Sequence, residues 1–275
     1  YNRFYQSAMN SGQDARYAVT AYYWDLYYKW IKIANDLIIV VDPSSANSAQ
    51  KAYLGQALAY RAAFYLDLAR LYSPKEVTDP YALGEGYKIP DAIKDLTVPI
   101  ITEKTDEATA RNNPRATRKE MYEFILADLN KAEEYIPNFH RSTKTLPDLA
   151  VVYGLKARLY MWMEDYANAQ IYARKAIDES GATPTTQEQW LNATSGFNDI
   201  SVSSWMFGST MQKEDDVVKS GIINWTSWMS NETTYGYAAA GPMPLVDVNF
   251  YNKIADTDFR KLSWKAPAGS ALSGK

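Results

Sequence analysis

Apolar side chains recur every three or four positions over residues 15–41, at Tyr17, Ala21, Trp24, Tyr28, Ile31, Ala34, Ile38 and Val41. That spacing lays them along one face of a long helix, which the turn-forming DPSS at 42–45 ends. A second helix is predicted over 48–72, SAQKAYLGQALAYRAAFYLDLARLY, rich in Ala and Leu. It stops before Ser73-Pro74, because proline disfavours a helical residue just ahead of it. Residues 73–116 then lose all periodicity and carry Pro74, Pro80, Gly84, Gly86, Pro90, Pro99 and Pro114. One piece, TVPIITE at 97–103, looks extended. Irregular stretches of this length in a compact domain are functional or ordered against something.

Regular pattern resumes at Thr117. With Glu120 three residues later it forms a capping box, in which hydroxyl and carboxylate each satisfy an otherwise free amide. The helix it opens runs RKEMYEFILADLNKAEEYI and ends at Pro137. Two more follow, DLAVVYGLKARLYMWM and YANAQIYARKAIDES, hinged at Glu164-Asp165, with Asp165 the expected N-cap and Gly181 the closing residue. Beyond 181 the helical period fades into short pieces broken by Gly, Pro, Ser, Thr and Asn, with one strand expected at 203–209. The closing APAGSALSGK reads as a loop rather than a domain end, so the chain is expected to be a fragment.

The last two helices match the tetratricopeptide pattern, whose period is about 34 residues. Tyr153, Ala157 and Tyr160 share a face of the first, and Ala169, Ala173 and Ala176 the facing side of the second. Small residues at such crossings let helices approach closely. Lys156 falls where the pattern wants leucine. The helix after Thr117 repeats the second half of the unit, through Ile125, Leu129, Ala132 and Pro137. Its partner would be the 48–72 helix, with 73–116 inserted between them. The expected fold is mostly α: tetratricopeptide-like helix pairs with long irregular insertions, an alpha-alpha superhelix. A helical-repeat scaffold is expected over about 15–181 and a loop-rich region over about 182–275.

Composition narrows the chemistry. The 275 residues hold 29 basic and 32 acidic side chains, scattered, with net charge −3. No basic stripe exists to meet nucleic acid. Cysteine is absent and His140 is the single histidine, which excludes disulfides, thiolate chemistry and histidine-rich metal sites. No apolar run reaches the length needed to span a bilayer as a helix. Sequence signatures of serine hydrolases, zincins, P-loops and dinucleotide folds are missing. Carboxylate pairs occur at Glu133/Glu134, Glu164/Asp165 and Asp215/Asp216, and two carboxylates suffice for a glycosidase. The first two fit solvated charge at helix ends, and the third a charged turn better than a Ca²⁺ ligand pair. His140 reads as a surface or capping histidine rather than a general base. No cofactor and no metal site is expected, and enzymatic activity is disfavoured. Sequons at Asn192, Asn224 and Asn231 are unremarkable in so Asn/Thr-rich a region.

The run NWTSWMSNETTYGY at 224–237 fits no core stripe, since polar residues break every face. Sugars present C–H faces ringed by hydroxyls. A flat ring covers such a face, and Asn or Thr nearby bonds the hydroxyls. Trp225, Trp228, Tyr235 and Tyr237, with Asn224, Asn231 and Thr233, meet that demand, and Tyr81 in the long excursion is a further candidate. The competing reading buries one Trp of the pair as an anchor for the loop. Trp190 and Trp205 read as core.

Four blocks, WDLYYKWIKIANDLI, GQALAYRAAFYLDLARLYS, LTVPIITEKTDEATARNNPRATRKEMYEFILADLNKAEEYIP and LKARLYMWMEDYANAQIYARKAI, resemble the SusD/RagB family in order and spacing. Further on, Trp190, Phe197, SSWMFGS and NFYNKIADTDFRKL, with Asp258 and Arg260, resemble its later segments. The resemblance implies one SusD-like domain in a non-catalytic glycan-binding lipoprotein of the outer membrane at the cell surface. Such a protein partners a SusC-like TonB-dependent transporter and is held by a lipid anchor upstream of residue 1. Family members are considerably longer, and their site residues vary. The rival expectation is a tetratricopeptide adaptor that binds protein through its helical face.

Overall fold

The computed structural model describes residues 19–74, 88–137, 139–192, 199–210, 212, 214, 246–265 and 269. Two compact units divide between Gly181 and Ala182. The first holds α1 (Val19–Val40), α2 (Ser48–Tyr72), the short α3 (Glu107–Arg111), α4 (Arg118–Tyr135), α5 (Leu149–Trp162) and α6 (Tyr166–Ser180). The second holds α7 (Gln187–Leu191), α8 (Val248–Lys253) and a 3-10 helix at Phe259–Trp264. No strand occurs among the described residues.

Local chemistry sets the helix ends. Asn47 and Gln50 close a reciprocal capping box at the start of α2, and Thr117 with Glu120 does the same for α4. Asp148 caps α5 and Asp165 caps α6, each accepting from the amide three residues on. Gly181 ends α6 at φ 59°, a left-handed position that glycine adopts without a Cβ clash.

Packing follows the repeat. α2 pairs with α4 and α5 with α6, while α1 lies against α2. Ile125, Leu129 and Ala132 on α4 are fully buried, as are Tyr65, Leu66, Leu68 and Ala69 on α2. Gly55 marks the tightest crossing, where an added Cβ would stand 2.7 Å from Ile136 Cγ1. In the α5–α6 pair Ala157, Ala169 and Ala176 are buried, but Ala173 is exposed. Tyr172 turns inward there instead and stacks on Tyr160 with centroids 5.4 Å apart. Lys156, in the leucine position of the repeat, is buried: its ammonium bonds Glu133 and Asn130 and lies 5.0 Å from the Tyr172 ring centroid. Glu133 is therefore the counter-ion of a buried lysine rather than the solvated charge expected.

The excursion between α2 and α4 is tied down along its second half. Thr97 N–H donates to Ala116 O at 2.7 Å and Ala116 N–H to Val98 O at 3.1 Å, an isolated antiparallel contact beside the Leu96–Thr117 bridge. Tyr28 Oη donates to Pro99 O, Asn35 Nδ2 to Ile101 O, and Tyr65 Oη to Ile101 O. TVPIITE is thus an extended strap held by side chains of α1 and α2, not a strand of a sheet. Arg61 fixes its far end: Nη1 donates to Glu103 at 2.6 Å and to Asn35 Oδ1 at 2.7 Å, while Nε and Nη2 grip Asp128 at 2.7 and 2.8 Å. Both Asp128 oxygens accept, which is the geometry of an ionised carboxylate. Burial works against the charge on Arg61, but its bonds to Asp128 and Glu103 outweigh that and raise its pKa.

The strand expected at 203–209 is absent. Trp205 N–H returns to Val202 O and Val202 N–H to Asp199 O, so the backbone spends its donors on successive local turns. Trp190 and Trp205, expected in the core, are half-buried.

Candidate functional site

The loop residues proposed from sequence, Asn224, Trp225, Trp228, Asn231, Thr233, Tyr235 and Tyr237, lie outside the described residues, as do Tyr81 and the Asp215/Asp216 pair. Among the described residues, rings combine with hydrogen-bonding groups at two surfaces, one in each unit.

In the helical unit the spacing of Tyr23, Tyr27 and Trp30 sends their rings to one side of α1, where Phe64 and Tyr60 of α2 meet them. Centroids lie 6.4 Å apart for Tyr23–Tyr27, 5.4 Å for Tyr27–Trp30, 5.2 Å for Trp30–Phe64 and 5.9 Å for Phe64–Tyr60. Asp67, one turn beyond Phe64, accepts from Tyr27 Oη at 3.2 Å and from Arg158 Nη2 of α5 at 2.9 Å. Burial and then the Asp67 charge push the Tyr27 phenol up to about 12, so it remains a donor across the physiological range. The ridge ends in a partly exposed carboxylate–guanidinium pair, Asp67 and Arg158. Ring faces beside such a pair can cover an apolar C–H face and exchange hydrogen bonds with hydroxyls. The repeat pattern drew attention to α5 and α6, whereas these rings sit on α1 and α2. The signal that could have found them was the aromatic density of AYYWDLYYKW.

In the second unit the reciprocal cap between Thr186 and Gln189 opens α7 and presents Trp190, whose Nε1 donates to Ser263 Oγ at 2.6 Å. Its ring meets Phe259 edge to face at 6.2 Å. Asp258 caps the 3-10 helix and accepts from Arg260 through Nε and Nη2. Hydrogen bonds from the Arg260 side chain and then its amide hold Asp258 down to about 2. Trp264 and Phe250 are exposed close by in sequence.

Two of the carboxylates paired in the sequence have structural duties instead. Glu133 neutralises Lys156, Asp165 caps α6, and Glu164 occupies a left-handed turn position at φ 62°. Among the described residues no cluster of metal-ligating side chains occurs, and no helix is long and apolar enough to cross a membrane. His140 is exposed, as expected.

Paired helices that hold an irregular strap and carry ring-lined, hydrogen-bonding surfaces define a helical-repeat scaffold of the kind used for binding. Comparison specifies it further. A SusD-like family described as starch-binding and associating with the outer membrane matches residues 2–161, more than half of the 275-residue chain, and the chain belongs to that family. Among solved structures, it is similar to a SusD-like carbohydrate binding protein from Bacteroides vulgatus, at 25% identity and TM-score 0.66 over 87% of this chain and 46% of that one. A SusD superfamily protein from Bacteroides thetaiotaomicron shares the fold at 21% identity and TM-score 0.53, over 69% and 39% of the two chains. The chain therefore spans less than half the length of these structures. No curated protein matches it.

Proposed function

We propose that the chain belongs to a cell-surface protein that captures polysaccharide or oligosaccharide without altering it and passes it to a SusC-like TonB-dependent transporter of the outer membrane. Membership of the starch-binding SusD-like family, over 2–161, is the observation that carries this reading. The similar Bacteroides vulgatus protein is a carbohydrate binding protein, which supports the same class of ligand here. The structural employment of Glu133 and Asp165 supports a non-catalytic role. In this reading a lipid anchor upstream of residue 1 holds the protein to the membrane. Glycan stacks on Trp225, Trp228, Tyr235 and Tyr237, with Asn224, Asn231 and Tyr81 as further contacts.

Affinity electrophoresis against neutral and acidic polysaccharides tests both parts. Retardation of wild type by one glycan, relieved in a folded Trp228→Ala variant, is the expected result. Equal retardation of the variant would move the site elsewhere, with Trp30→Ala and Trp190→Ala next in order. Absence of retardation by every glycan, together with capture of a protein ligand on the α1–α2 face, would replace the reading with a tetratricopeptide adaptor.

A further inference from the structure

Helix α1 has two apolar faces, and the second is covered only along one edge, where Trp30 meets Phe64. Ile31 and Ala34 are buried against the scaffold, with Trp24, Tyr28 and Ile38 half-buried around them. On the opposite side Tyr22, Leu26, Trp30, Ile33, Leu37 and Val40 recur at intervals of four, four, three, four and three. At about 100° per residue they fall within roughly 80° of arc. Leu26 is half-buried, but Trp30 is 37% exposed, Leu37 41%, Tyr22 62%, Ile33 66% and Val40 74%. A soluble helix has no packing reason to keep so continuous a stripe in water, and such patches mark contact surfaces.

We propose that this stripe pairs with the same stripe of a second copy of the chain, antiparallel and two-fold symmetric. From Leu26 to Val40 the spacing is that of a heptad seam, whose knobs need a facing helix with the same repeat. An antiparallel pair centred on Ile33 sets Trp30 against Leu37 and Leu26 against Val40 of the second copy, so every stripe position from Leu26 to Val40 meets another and Tyr22 lies beyond the overlap. Charge fixes the direction. Lys29 and Asp36 border the stripe on one edge, both exposed, while the other edge, at Tyr23 and Ala34, turns toward α2. Antiparallel helices bring like edges together, which places Lys29 beside Asp36 of the second copy, twice by symmetry. A parallel pair would set the charged edge against the Tyr23 edge and leave both charges without partners on the second copy. Asp36 already accepts from Lys32 at 2.8 Å in an open i,i+4 pair and has room for a second cation. The paired stretch, from Leu26 to Val40, runs about 21 Å at the rise of an α-helix. Contact along one helix is at the small end of specific interfaces, so the association is weak and reversible.

Sedimentation velocity of the whole chain over about a hundredfold range of concentration tests the pairing. A monomer–dimer equilibrium is expected, abolished by Ile33→Glu and weakened by Lys29→Asp. Joining Lys29→Asp to Asp36→Lys should restore it. Both positions are exposed, so circular dichroism should show the variants folded. A monomer at every concentration overturns the proposal and leaves the stripe to a different occupant, either another helix of the polypeptide or the transporter. A dimer indifferent to Ile33→Glu overturns it equally, by placing the interface on another face. Failure here leaves the glycan reading untouched, because affinity electrophoresis reads binding by the monomer as well.

Discussion

Arg61→Met is the sharpest test of how the helices hold the strap. The Arg61 and Asp128 side chains are 5% and 6% exposed, and Nε lies 2.7 Å from the carboxylate. Removing one member of such a pair strands the other charge out of water, a loss of about 3–5 kcal/mol. Asn35 Oδ1 also loses its donor, which adds about 1–3 kcal/mol because Asn35 is buried. Glu103, 19% exposed, can recover water and adds little. The sum, about 4–8 kcal/mol, is a quarter or more of the roughly 5–15 kcal/mol that stabilises an ordinary domain. Asp128→Leu alone should cost about 3 kcal/mol, by stranding a guanidinium that keeps Glu103 and Asn35. In the double variant no stranded charge remains, so the loss should fall to the Asn35 contribution of about 1–3 kcal/mol. Urea denaturation followed by far-ultraviolet circular dichroism gives all three values, and the cycle should return a coupling of at least about 2 kcal/mol. A single-variant loss below about 1 kcal/mol, or losses that simply add, would refute the view that this pair is a tightly desolvated unit.

Acid should act on the same strap. Burial works against the Glu103 charge, but the Arg61 hydrogen bond and charge outweigh it and hold Glu103 below its ordinary value of 4.5. Its contribution is therefore present above about pH 4.5 and lost as pH falls through the depressed folded value; Glu103→Gln should flatten that limb of a pH–stability curve. Two glycines should respond with opposite signs in thermal melts. Gly55→Ala drives a methyl against Ile136 and should cost about 1–3 kcal/mol, whereas Gly154→Ala meets nothing within 4 Å and should gain about 1 kcal/mol of helix propensity. For the buried lysine, Lys156→Leu restores the residue the repeat prefers and leaves a Glu133 side chain that is 28% exposed, so denaturation should show a change within about 1 kcal/mol. Glu133→Ala leaves the ammonium buried with Asn130 and the Tyr172 ring but no counter-charge and should cost about 3 kcal/mol; equal losses for the two would sink this asymmetry.

Helix positions were legible because their determinants are local. Thr117, Glu120, Asp165 and Gly181 cap as their chemistry dictates, and the three-and-four spacing found Ile31 and Ala34 on the inner face of α1 and Ile125, Leu129 and Ala132 on that of α4. What escaped the sequence needed two distant segments at once. Arg61 and Asp128 each sit on an apolar helix face, a signal in principle, since a charge there demands a counter-charge across the crossing. No register between α2 and α4 could be read from the string with which to match them. Ala173 was misplaced by the same lack, because only the crossing geometry decides whether an alanine or the neighbouring Tyr172 fills the gap. The strand at 203–209 failed for a related reason: the alternate aromatics Trp205 and Phe207 suit an extended chain, but a strand also requires a neighbour with free donors and acceptors, and local turns took them first. Composition could mark 224–237 as unsuited to a core. Which ring faces outward depends on the body behind it, and a single helix shows how much that matters. The pattern that identified the inner face of α1 is matched by a second stripe at the same spacing, and hydrophobicity alone cannot rank the two. Contact with α2 decides which is core, and the stripe left over becomes the surface whose occupant must be found by experiment.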